Sequence, residues 1–395
     1  MGVETNTAKF FWITLFQNFS FLAPVLTLFY LQRGLSYSQI FILYIVIVVS
    51  MFLSEIPTGV LGDKFGRKTS IVCGCVGWVI FSIGLFFVTS FWGFFVLFVL
   101  WGLNATFFSG SDEALIYDSL KQIGKENEMK KHMGRIYSAA FIPSIIIAPM
   151  AAIIAKDLTN FQFNLLIFGN LLFYIVVFFI SLSLVEPESK TKREIVSPLE
   201  ILKSAIKHIK SSPKLLRIFL NKTLIFIPGS IVFGLLWQPY LKDSGVPVAI
   251  FGILIAVASL MIFFMSRNLD KIEKHVSGKM LILATGLLPF LAFLVGAFFH
   301  NILAAIIFYF VIKLAVSIRD PVFSQYLNEH IESHNRATVL SSLSMIDSFF
   351  DAVIFLSVGF ITDLGLNYAF LFCAGILLIA LIFFRVTNEH IKVKA

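Results

Sequence analysis

Gly59-Val60-Leu61-Gly62-Asp63-Lys64-Phe65-Gly66-Arg67-Lys68 stands where one long apolar segment ends and the next begins. Such a stretch reads as a tight basic turn at a membrane surface, joining two helices. Gly62 and Gly66 lack a Cβ, which permits close backbone approach or a positive φ. Asp63 lies at a helix end, placed to pair with Arg67 or to cap a neighbouring helix N-terminus. Lys64, Arg67 and Lys68 mark the loop as cytoplasmic.

Composition agrees with a membrane setting. The chain has 395 residues, 58% of them hydrophobic and 14% charged, with a mean hydropathy of +0.90. Soluble domains carry about a quarter charged residues, so this chain belongs in lipid. No soluble domain of about 100 residues fits between its apolar segments. The 46 Phe suit lipid-facing surfaces and packed helix seams. The net charge of +8 does not indicate nucleic acid, because the basic residues sit in short loops on alternate sides of the spans. Cys73, Cys75 and Cys373 fall inside apolar segments without zinc or disulfide spacing and read as small helix residues. Lys9 runs straight into the first span with no small-residue cleavage site, so no removable signal peptide is expected.

A spanning helix needs about 20 apolar residues. Twelve such segments are expected: 10–31, 39–61, 70–90, 92–115, 136–155, 162–185, 216–241, 248–266, 280–299, 302–325, 339–363 and 366–386. The connections after the odd-numbered spans hold only Arg33, Lys156 and Lys242. Lys222, Lys313 and Arg319 lie within spans, and the other 25 of the 31 Lys and Arg lie in the opposite loops or at the span ends beside them. This asymmetry predicts that both termini are cytoplasmic. The longest connection, 186–215, opens with Glu186-Pro187-Glu188 and is rich in Lys. Leu199, Leu202, Ile206 and Ile209 give residues 198–210 the spacing of an amphipathic surface helix. This linker divides the chain into 1–185 and 216–395, each with six spans. Tyr30-Leu31 and Tyr240-Leu241 end the first span of each half, and Ser111-Asp112 matches Arg319-Asp320. Asp270-Lys271 ahead of Gly278-Lys279 is a degraded copy of the opening loop. An offset of about 210 residues is what two parallel six-span repeats give.

The opening loop resembles the signature of the major facilitator superfamily, G-x-x-x-D-[RK]-x-G-R-[RK] between the second and third spans. Gly59, Asp63, Lys64, Gly66, Arg67 and Lys68 fill every defined position. The resemblance implies an all-α membrane protein with twelve transmembrane helices in two six-helix bundles and a central cavity. Spans 1, 2, 4, 5, 7, 8, 10 and 11 would line that cavity, and spans 3, 6, 9 and 12 would lie outside. It also implies a monomer. An acidic residue at the end of the fourth span would anchor the loop arginine. Asp112, Glu113 and Asp118 are the residues placed for that, forming a cytoplasmic latch with Asp63 and Arg67. Arg319 and Asp320 occupy the matching place in the second half. Ala148-Pro149-Met150-Ala151-Ala152 resembles, with Ala for Gly at its ends, an exporter motif of the fifth span. The Arg often found in the fourth span of exporters is missing. Ala337-Thr338-Val339-Leu340-Ser341-Ser342 looks like a run from prokaryotic members grouped with drug-efflux proteins.

Ionisable residues inside spans are functional hypotheses by default. Glu55 lies eight residues before Asp63, about 12 Å along a helix. Burial there would disfavour its charged form and suit a proton carrier, although a hydrogen-bonded structural Glu is the alternative. Asp347 and Asp351, four apart, share one helix face, and carboxylates so close titrate as a coupled pair. Lys313 in the tenth span is their expected partner; a structural salt bridge and a proton or cation site remain equal alternatives. Asp363 reads as an interfacial residue and Lys222 as one that snorkels. Gln17, Asn18, Tyr30, Asn104, Tyr137, Asn221, Trp237, Gln238 and Tyr240 could face a cavity.

His330 and His334 lack the H-E-x-x-H order of a zinc protease and read as a solvated loop. No nucleophile elbow or phosphate-cradling loop is present, so no enzyme, metal or cofactor is expected and transport would run on an ion gradient. The expected function is a secondary active transporter in the cell membrane of a prokaryote. Proton-coupled efflux of small amphipathic or drug-like molecules leads, nutrient uptake is the alternative, and lipid scrambling is a further class. Its partners are a small-molecule substrate, protons and the lipid bilayer.

Overall fold

The computed structural model describes residues 2–188, 213–329 and 336–387, and these contain helices and connections but no strand. In chain order the helices are α1 (Asn6–Gln17), α2 (Leu26–Gln32), α3 (Tyr37–Phe65), α4 (Arg67–Phe87), α5 (Phe91–Phe108) and α6 (Ser111–Gln122). There follow α7 (Met129–Ala139), α8 (Phe141–Ile154), α9 (Asn160–Leu182), α10 (Pro213–Phe226) and α11 (Phe233–Asp243). The rest are α12 (Val248–Arg267), α13 (Leu269–His275), α14 (Gly278–Phe298), α15 (Ile302–Glu329), α16 (Arg336–Leu364) and α17 (Leu366–Phe383). Among the described residues, ten helical runs are long and apolar enough to cross a membrane, and Ala23–Gln32 is a shorter apolar helix. The amphipathic helix expected at 198–210 lies outside the described residues, as do His330 and His334.

The first expected span is not one helix. α1 stops at Gln17, and the chain reaches α2 through a short 3-10 turn at Ala23–Val25 that contains Pro24. Asn170 on α9 accepts the freed Phe21 N–H at 2.7 Å. The seventh span is interrupted at the matching place by a π-helical stretch, Ile227–Val232, holding Pro228 and Gly229. The fourth span breaks between α5 and α6, where Gly110 adopts a left-handed φ of +69°. By contrast α3 runs unbroken through Pro57, with Thr58 Oγ1 donating to the Ser54 carbonyl at 2.8 Å.

Two compact units emerge from the packing. The first comprises Met1–Leu35, Leu43–Ile195 and Pro247–Ser259; the second comprises Ser36–Ile42, Val196–Val246 and Leu260–Ala395. Phe10, Ile13, Ile71, Leu115 and Val177 belong to the core of the first. Phe219, Ile282, Phe323 and Leu343 belong to that of the second. The division departs from a cut at 186–215 in two places. Pro247–Ser259 joins the first unit because α12 meets α8 backbone to backbone: a Cβ on Gly252 would stand 2.0 Å from the Ala148 carbonyl oxygen. The Ala148–Ala152 stretch therefore has a packing role of its own. Ser36–Ile42 joins the second unit because α16 binds the start of α3. Large apolar side chains such as Phe87, Phe161, Phe179, Phe298 and Phe383 are exposed, which is the surface a bilayer requires.

Candidate functional site

In the first unit the opening loop is organised by two carboxylates. α3 ends at Phe65, Gly66 takes φ +97° and ψ 154°, and α4 begins at Arg67. That conformation is essentially open to glycine alone. Arg67 Nη1 lies 2.7 Å from Asp118 Oδ2 on α6, with side chains 13% and 2% exposed. Glu186 accepts the Arg67 N–H through Oε1 at 2.8 Å and the Lys68 N–H through Oε2 at 2.7 Å. Those donors would otherwise be orphans of the α4 N-terminus, and an anion is favoured there by the helix dipole. A Cβ on residue 66 would come 2.9 Å from the Glu186 carboxylate.

Asn6, fully buried, binds the neighbours of both carboxylates. Its amide donates to Ser119 Oγ and to the Val185 carbonyl, each at 2.8 Å, and accepts the Val185 N–H at 3.0 Å. Of the acids expected to meet Arg67, only Asp118 does so. Asp112 accepts the Glu113 N–H at 2.8 Å, and Glu113 accepts the Tyr137 hydroxyl at 2.6 Å. Asp63 and Lys64 are exposed. Asp63 makes no side-chain hydrogen bond or ion pair among the described residues; Arg67 has turned to the α6 side, and an Asp63–Arg67 pair is not formed. Gly59 has nothing within 4 Å of a Cβ position, so no close approach explains it.

Glu55 differs from expectation in its surroundings. Its side chain is exposed, in a stretch of α3 where Met51, Phe52, Leu53 and Ile56 are exposed as well. Nothing within the unit encloses it, and its carboxylate has no partner among the described residues.

In the second unit three consecutive residues of α10 hold the charged groups of α15 and α16. Asn221 Oδ1 and the Asn221 carbonyl both accept from Arg319 Nη2, the carbonyl at 3.0 Å. Lys222 Nζ lies 3.9 Å from Asp320 Oδ1. Thr223 Oγ1 donates to Asp347 Oδ1. Arg319 is 1% exposed. It also donates to the Ile282 carbonyl and to Thr285 Oγ1, both at 3.1 Å, and stacks on Phe323 at 4.2 Å. Asn221 Nδ2 donates onward to the Ala380 carbonyl of α17 at 3.1 Å.

These contacts revise three expectations. Arg319 is not a latch residue paired to an acid; among the described residues it bonds neutral oxygens and braces α10, α14 and α15. Lys222 does not merely snorkel, since Asp320 is its neighbour. Lys313 makes no ion pair with Asp347 or Asp351 among the described residues, and Thr223 binds Asp347 from the α10 side. Asp351 lies one turn further along α16, and its Oδ1 is buried without a hydrogen-bond partner among the described residues. Residues missed by sequence reasoning are Glu186, Asn6, Thr223 and Asp363. Only Asp363 had a local signal: Ser36-x-x-Gln39 is a capping-box pattern that marks a helix start in need of acceptors. Among the described residues no group of three or more His, Cys, Asp or Glu is placed to hold a metal.

Comparison with known proteins gives one answer. The family model for the Major Facilitator Superfamily matches residues 12–284 and again 223–395. A relative named as an uncharacterized transporter of this type, from Methanocaldococcus jannaschii, is 22% identical over 390 residues, covering 95% of this chain and 96% of that one. A Bacillus subtilis protein of the same description is 23% identical over 394 residues, covering 93% and 92%. Among solved structures, the nucleoside transporter NupG superposes with a TM-score of 0.78 at 13% identity, covering all of both chains. A POT family transporter in complex with 5-aminolevulinic acid gives 0.73 at 12% identity, covering 98% and 96%. At these identities the structural likeness speaks for the fold. With its apolar helices and its signature loop, the chain is an integral multi-pass membrane protein, a non-enzymatic secondary transporter belonging to the Major Facilitator Superfamily.

Proposed function

We propose that this transporter exports small amphipathic or drug-like molecules in exchange for protons, by alternating access, from the cell membrane of a prokaryote. The observation that carries the proposal is the arrangement of Asp347 and Asp351. The two lie one turn apart on α16, and Thr223 binds one while the other keeps a buried oxygen without a partner among the described residues. Intramembrane carboxylates are expensive to keep and mark ion or proton pathways. A pair on one face titrates in two coupled steps that belong to the pair, so it can hold one proton while giving up another. Glu55 is a secondary choice, since nothing in its own unit encloses it. Lys313 remains a residue that substrate could meet, acting apart from the Asp pair.

The expected topology completes the proposal: twelve spans, bundles at 1–185 and 216–395, cytoplasmic termini and a monomer. Arg67, Asp118 and Glu186 then form a preassembled cytoplasmic block, and Asp63 is its free arm, available to a helix N-terminus in another state of the cycle. Export is favoured over uptake by the resemblances at Ala148–Ala152 and Ala337–Ser342.

The test is growth of an efflux-deficient bacterium across a panel of toxic amphipathic compounds. Wild type is compared with Glu55→Gln, Asp63→Asn and Asp351→Asn at matched membrane expression. Resistance that Asp351→Asn loses supports the proposal. Resistance to no compound overturns export and leaves nutrient uptake as the alternative.

A further inference from the structure

Asp363, in the last turn of α16, accepts the Tyr37 N–H at 2.8 Å through Oδ1. It also takes the Ser38 N–H, at 3.3 Å through Oδ1 and 3.2 Å through Oδ2. Both donors belong to the start of α3. A helix start leaves four N–H groups without intrahelical acceptors, and α3 meets only part of that need by itself. Ser36 N–H donates to Gln39 Oε1 at 3.0 Å, and Gln39 N–H donates to Ser36 Oγ at 3.2 Å, a reciprocal capping box. Tyr37 and Ser38 are left as a two-pronged socket, and a carboxylate more than three hundred residues away fills it. The negative charge also sits at the positive end of the helix dipole.

The contact has an apolar half. One turn before Asp363, a Cβ on Gly359 would stand 2.9 Å from Phe41 Cβ and 3.1 Å from Ser38 Cα. Phe41 and Phe355 meet edge to face at 5.6 Å. This explains why Ser36–Ile42 packs with the second unit while the same helix, from Leu43, packs with the first.

We infer that Asp363 and Gly359 form a releasable clasp on the first two turns of α3, closed in this structure, which must open for those turns to move with the body of their own helix. Release is feasible because the capping box stays with α3. Only the Tyr37 and Ser38 N–H groups and one carboxylate return to water, so the helix start survives on its own. The inference needs neither the proton nor the export proposal. It requires only that the two units change their relation during transport, as alternating access demands.

The experiment uses the full-length protein in lipid nanodiscs, carrying Cys73→Ser because Cys73 is exposed while Cys75 and Cys373 are buried. Ser38, 8% exposed, is changed to Cys, and its labelling rate with a water-soluble maleimide is measured with and without Asp363→Ala. Ser82→Cys in α4, 1% exposed in the wild type, is the control. The clasp predicts that Asp363→Ala speeds labelling at 38 at least tenfold, that Asp363→Asn does so by less, and that labelling at 82 is unchanged. Hydrogen exchange of a peptide covering 36–42 rises in parallel. No change at 38 overturns the inference. A similar rise at both positions also overturns it, because Asp363 would then be a general structural support.

Discussion

Arg67 reaches past Asp63, four residues before it, to a carboxylate on another helix: its guanidinium lies 2.7 Å from Asp118. Asp118 is almost fully buried, so this pair is unlike an exposed ion pair, whose removal costs little. Breaking a buried pair leaves an uncompensated charge, at about 3–5 kcal/mol. Asp118→Asn and Arg67→Ala should each lower thermal stability in detergent by a comparable amount. The double change Arg67→Met with Asp118→Leu should recover much of the loss. Equal stability of Asp118→Asn and wild type would show that the pair contributes nothing to the fold.

Gly66→Ala is expected to destabilise by about 1–3 kcal/mol, the cost of a non-glycine residue in that backbone region. Part of the loss comes from the Glu186 carboxylate, 2.9 Å from the new Cβ. The Glu186→Ala background should therefore reduce the penalty of Gly66→Ala. Full additivity in a double-mutant cycle would show that the two do not touch.

Arg319→Lys keeps the charge but not the fork. The two fork nitrogens serve four acceptor atoms, on Ile282, Thr285 and Asn221, more than the three N–H of a single lysine ammonium can reach. Leaving buried acceptors unmet costs about 1–3 kcal/mol each. A melting temperature several degrees lower is expected, with Asn221→Ala showing a loss of similar size. A variant as stable as wild type would refute the bracing role.

Lys222 and Lys313 should behave differently. Lys222 stands 3.9 Å from Asp320, whereas Lys313 has no carboxylate partner among the described residues. Lys222→Met should alter the pH dependence of transport through Asp347, whose carboxyl feels the Lys222 charge. Lys313→Met should leave that dependence in place. A shift on Lys313→Met equal to that on Lys222→Met would restore Lys313 as partner of the Asp pair.

How much of this was legible follows from distance along the chain. The loop from Gly59 to Lys68 was readable because its turn, charge and glycines are consecutive. The helices were readable because lipid imposes length and apolarity on each segment. Arg67 was expected to meet an acid at the end of the fourth span, but three stood within seven residues, and only packing decides for Asp118. Glu186 serves α4 from 119 positions away, and no local pattern announces it. Thr223 looks like any small polar residue in an apolar run until Asp347 is placed against it. Lys313 looked like the natural partner by charge alone, yet Thr223 binds Asp347 and no ion pair joins Lys313 to the Asp pair among the described residues. The break in the first span was signalled by Asn18, Ser20 and Pro24, but the segment's overall apolarity masked it.

The most direct measurement is ethidium movement into proteoliposomes under an imposed pH gradient, acidic inside. Proton-driven exchange predicts uptake that requires the gradient, collapses with a proton-dissipating ionophore, and falls at least tenfold in Asp351→Asn at equal reconstitution. Uptake that ignores the gradient, or that persists unchanged in the Asp347→Asn, Asp351→Asn double variant, would contradict it.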